Sequence, residues 1–148
     1  MNMKNKTSSE QVASHMKEQR ECYKALLVKL EDQKKAIDRY DESKLLAIIG
    51  EKSDLIDVSQ KLEKKIASVL KGIPEVQRKK VIQETGVLRG QIEGLLKKLI
   101  ALEAVCEEGL NNQKQQVYEQ IKDLEKKQKL LKKYGDSGKS MSLFSRNV

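Results

Sequence analysis

Apolar residues recur along this chain at alternating intervals of three and four, the spacing that lines one face of an α-helix. The first stripe steps through Val12, Met16, Gln19, Tyr23, Leu26, Leu30, Gln33, Ile37 and Tyr40. Thr7 with Glu10, or Ser8 with Gln11, offers a capping-box start to it. "YDES" at 40–43 then interrupts the pattern. Asp41 and Ser43 can each accept a bond from a free N–H at a helix start, so a tight reversal is expected here. A second stripe carries Leu45, Ile48, Ile49, Leu55, Ile56, Leu62, Ile66, Val69 and Leu70, with Gly50 inside it as a local weakness or a close packing point. "KGIP" ends this helix: Gly72 suits a left-handed C-cap, and Pro74 begins the next segment well. A short segment with Val81 and Ile82 follows to about Thr85. The last and longest segment, 87–134, carries Ile92, Leu95, Leu96, Leu99, Leu102, Cys106, Leu110, Gln113, Val117, Ile121, Leu124, Gln128 and Leu131.

These elements predict an all-α protein, an antiparallel helical bundle or coiled coil over 8–134 with a long C-terminal helix. Residues 1–7 are expected to be a disordered N-terminus and 135–148 a disordered, flexible tail. Gly86, Gly90 and Gly94 fall four apart, giving either notches for a close neighbour or a softened helix start; softening is the expectation. At 1.5 Å per residue the first two helices span roughly 50 and 43 Å, against about 70 Å for the last. Aligned from the Pro74 end, the last helix would outrun its partners by roughly 20 Å from about Val117 onward. An amphipathic stripe without cover must fray, self-associate or take a partner, which puts partner binding within about 87–134.

Composition sharpens this picture. The chain is 35% charged, with one Pro, one Phe and no Trp, which disfavours a sheet protein. Its net charge of +8 comes from 30 basic residues interleaved with 22 acidic ones until Lys126; beyond it only Asp136 is acidic. Asp123 with Lys127 and Glu125 with Lys129 are spaced to pair along the helix. Cys22 and Cys106 are isolated and His15 is the sole histidine, so the usual zinc spacings and a disulfide framework are excluded. No phosphate loop, HExxH or GxSxG occurs. The expectation is therefore no enzyme, no metal, no cofactor and no small-molecule substrate. No apolar run is long enough for a signal or a membrane span, and a cytoplasmic protein is the default reading.

Two kinds of partner suit a basic helical chain. Arg78, Lys79, Lys80 and the lysines of 126–133 could neutralise phosphates, but stacking aromatics and nucleic-acid motifs are missing, which disfavours nucleic acid. The seam-spaced apolar residues at 117–131 fit helix-in-groove recognition of another protein. The alternatives left open are a self-associating structural coiled coil, a homo-oligomer when substrate-free, and a basic nucleic-acid-binding helical module.

Three stretches carry a resemblance. "EKSDLIDVSQKLEKK" (51–65), following "DESKLLAII", resembles the central signature of the FlgN family of flagellar export chaperones. "EEGLNNQKQQVYEQIKDLEKKQKLLKK" resembles that family's last helix, and "KYGDSGKSMS" is similar to the ending of some members. Together they cover nearly the whole chain, although the chain is more basic than such chaperones often are. The resemblance implies a cytosolic type III export chaperone. It would bind the C-terminal helical segments of hook–filament junction proteins, prevent their premature assembly and deliver them to the export gate. It maps the substrate groove to Leu99, Leu102, Cys106, Leu110, Val117, Ile121, Leu124 and Leu131. It also gives Tyr134 a role in docking to the cytoplasmic domain of the export gate. The other reading of Tyr134 is a residue that closes the apolar seam, with Gly135 following as the C′ position.

Overall fold

Thr7 starts the first helix: its Oγ1 accepts from the backbone N–H of Glu10 at 3.1 Å, so Thr7 rather than Ser8 is the cap. A computed structural model describes residues 7–135. They form four helices, α1 (Ser8–Asp38), α2 (Glu42–Lys71), α3 (Glu75–Glu84) and α4 (Gly86–Gly135), an all-α bundle with a long last helix. The segments expected to be disordered lie outside the described residues, apart from Thr7 and Gly135.

The reversal after α1 is built from backbone bonds. Tyr40 N–H donates to Ile37 O at 3.1 Å and Asp41 N–H to Ala36 O at 2.9 Å, a Schellman pairing. That motif needs a left-handed residue, and Tyr40 fills the position with φ 55°. Asp41 then caps α2, its Oδ1 accepting from Lys44 N–H at 3.1 Å. A side chain in this conformation costs about 1 kcal/mol that glycine would not. Tyr40→Gly is therefore expected to raise the melting temperature by a few degrees; a fall would mean that the phenol contributes more than the strain costs.

At the far end of α2 the left-handed cap expected of Gly72 is not formed. Gly72 has φ −82° and donates to Ser68 O and Val69 O, continuing the right-handed turn. Arg78 reaches back from α3, with Nε donating to Leu70 O at 3.0 Å and Nη2 to Ile73 O at 3.3 Å. It thereby satisfies carbonyls that a helix end leaves without partners. Lys79 and Lys80 pair along α3 with Glu75 and Glu84. Of the basic run at 78–80, Arg78 is thus committed to the fold, while Lys79 and Lys80 stay largely exposed.

Contacts divide the chain into two units, Met1–Gly109 and Leu110–Val148. In the first, α1 is the spine and is buried on two sides. Lys29 pairs with Glu51, and Cys22 Sγ donates to Leu55 O at 3.0 Å, so α2 runs antiparallel to α1. On the other side Arg20 donates to Gln91 at 2.8 Å and Cys106 Sγ lies 3.8 Å from Leu30 O, so α4 runs parallel to α1. The core joins Tyr23, Leu26, Leu30 and Ile37 of α1 to Ile92, Leu99 and Cys106 of α4, with Leu45, Leu55, Leu95 and Leu102 packed around them. Each fully buried side chain of this kind contributes roughly 1.5–3 kcal/mol. α3 closes the end near the start of α1, where Ser9 donates to Glu84 at 2.6 Å and Val12, Val81 and Thr85 are buried.

One polar cluster lies at the edge of the core. Buried Gln33 accepts from Lys52 Nζ at 2.8 Å, and the same ammonium pairs with Glu103 at 2.9 Å, joining α1, α2 and α4. Among the three early glycines of α4, Gly90 and Gly94 have no neighbour within 4 Å of the place a Cβ would take, so neither is a packing notch. Gly50 is equally open. The glycine that is closely approached is Gly109, where a Cβ would lie 3.3 Å from Ile37 Cγ2.

Candidate partner-binding face of the last helix

The three-and-four spacing that sets Ile92, Leu99 and Cys106 against α1 continues through Leu110, Gln113, Val117, Ile121, Leu124, Gln128 and Leu131. At 100° per residue these last seven positions fall within an arc of roughly 80°. What differs is cover. Leu99 and Cys106 are buried and Leu102 is packed against the core cluster. These three expected groove residues are therefore intramolecular core, because α1 already occupies their face. The candidate groove narrows to the residues of the second unit.

There the stripe is open. Val117 is 51% exposed, Ile121 47% and Leu124 63%; Leu110 is also exposed and Leu131 half-buried. Tyr134 is exposed too, although not without an interaction. A line of large apolar side chains at helical spacing is unfavourable in water and suits burial against another apolar stripe.

Tyr118 belongs to this face but stands outside the stripe read from the sequence. It is 53% exposed and, with Asn111, Lys114, Gln115, Val117 and Ile121, lines one surface depression. Lys122 Nζ sits 4.7 Å from the centre of its ring, a cation–π contact that holds the phenol beside the stripe. Its position one residue after Val117 put it off the seam, and only its rarity in a chain with four tyrosines could have marked it.

Charge surrounds the stripe. Residues 110–135 carry seven lysines (114, 122, 126, 127, 129, 132 and 133) against Glu119, Asp123 and Glu125, an excess of four. The pairs expected between Asp123 and Lys127 and between Glu125 and Lys129 are not closed; among the described residues the ion pairs all fall before Ala104. Gln115 donates to Glu119 at 3.4 Å.

The cysteines have no exposed reactive face. Burial pushes the Cys22 and Cys106 thiols up from their ordinary range, and Glu103 adds to the shift at Cys106. Among the described residues no three His, Cys, Asp or Glu side chains converge as a metal site would require. No described helix is long and apolar enough to cross a membrane. Comparison of the chain with protein-family models, with curated proteins and with solved structures gives no match.

Proposed function

We propose that the chain is a cytoplasmic flagellar type III export chaperone whose Leu110–Leu131 face takes an amphipathic helix from a hook–filament junction protein. The observation that carries the helix-binding part is the exposed line Val117, Ile121 and Leu124 on a helix whose preceding turns bury the same spacing. Burial of such a stripe is worth about 25 cal/mol per Å², less the freedom lost on ordering both partners. The client's identity is supported by the resemblance of 51–65, the last helix and the ending to the FlgN family. Holding the client's terminal helix would keep it from assembling before export.

In this reading Tyr134 contributes to docking on the cytoplasmic domain of the export gate. The test uses the full chain and purified hook–filament junction proteins, each with and without its C-terminal helical segment. Binding should require that segment. Tyr134→Ala should leave client affinity within about twofold while weakening capture of the export-gate domain by roughly tenfold, on the scale of one lost aromatic contact. Loss of client binding in this variant would instead assign Tyr134 to the groove, and indifference of the junction proteins would remove the flagellar assignment.

A further inference from the structure

We infer that the helix seated on the Leu110–Leu131 face is acidic, with Asp or Glu flanking its own apolar stripe. The inference rests on the reading that this face takes a helix, and it adds the chemistry of the occupant. With Ile121, Leu124, Gln128 and Leu131 as the inner positions, Glu125 and Lys132 flank one edge, while Gln120 and Lys127 flank the other. Upstream, Lys114 falls on the same edge as Lys132. Lys114, Lys127 and Lys132 have no ion-pair partner among the described residues, so the fold leaves their charges uncommitted. Lys122 is engaged, but with Tyr118.

Flanking charge favours an acidic occupant over a parallel second copy or a basic client. In a parallel pair of copies, Lys127 of one would face Lys132 of the other at both edges, a like-charge arrangement that costs stability. A basic client meets the same repulsion. An acidic helix is attracted at Lys114, Lys127 and Lys132 together, and the same field steers its approach. The single acid on these edges, Glu125, does not offset the three lysines.

The test measures binding of the full chain, at physiological salt, to three synthetic helical peptides that share one Leu/Ile stripe. Their flanking positions carry Glu, Gln or Lys. The Glu peptide should bind about tenfold more tightly than the Gln peptide, as expected from three exposed charge pairs, and the Lys peptide least. The preference should shrink as salt rises. A Lys127→Glu, Lys132→Glu chain should reverse the order. Equal binding of the Glu and Gln peptides would overturn the acidic inference while leaving helix binding intact. If no peptide binds and the chain sediments as a dimer, the underlying helix-binding reading fails and a second copy is the occupant. A Glu peptide with its apolar stripe scrambled that binds equally well would reduce the face to a charge contact and overturn both. Displacement of the Glu peptide by a single-stranded oligonucleotide at equal concentration would overturn the inference in favour of nucleic acid.

Discussion

Val117→Asp and Leu124→Asp are each expected to weaken client binding by about 100-fold or more while leaving the melting of the first unit unchanged. The magnitude follows from two losses at one site. The apolar contact disappears, and a carboxylate must shed water against a partner's apolar stripe, together roughly 3 kcal/mol or more. The fold should not register the change, because both side chains are already exposed in the chain alone. Titration calorimetry with the client helix and circular dichroism of the free protein read the two halves separately. If helicity across residues 8–109 collapsed in either variant, the stripe would be core and the proposed face would not exist.

Leu99→Asp should do the opposite. Leu99 is 9% exposed in the cluster with Tyr23, Leu26, Leu30 and Ile92, where a carboxylate would be shut away from water. Losing the packed side chain costs about 2–5 kcal/mol and burying an unpaired polar group adds to it. Total stabilities of domains are only about 5–15 kcal/mol, so this variant should be partly or wholly unfolded at room temperature. Urea denaturation followed at 222 nm measures it. An unchanged midpoint would return Leu99 to the partner face on which the family resemblance places it.

Those two positions also mark where sequence reasoning stops. Leu99 and Val117 carry the same kind of side chain at the same seam spacing, so periodicity finds the face of the helix but not what lies against it. Cover is a tertiary fact: α1 takes Leu99, Leu102 and Cys106, whose side chains the sequence alone could not separate from Val117 and Ile121. The elements themselves were legible because their punctuation is local. Asp41 begins α2 through its own side-chain cap, and Pro74 begins α3 through its fixed φ. The error at Gly72 was one of handedness, since Arg78, six residues on, caps the carbonyls that a left-handed glycine would have helped to satisfy. Gly109 carries no local signal because its constraint comes from Ile37, distant in sequence, whereas Gly86, Gly90 and Gly94 stand out by regularity alone.

The Gln33–Lys52–Glu103 cluster has a consequence for how the helices find one another. Leucine-rich seams are nearly degenerate: sliding α2 by seven residues would still set apolar against apolar over much of its length. Such a slip would bring Leu45 or Ser59 to the level of Lys52. Gln33 would then be buried without its donor and Glu103 left without its cation, at a cost of about 1–3 kcal/mol for the amide alone. The mispaired hairpins would lie above the native one by that gap, so a single lysine at mid-height lets a repetitive sequence settle on one alignment.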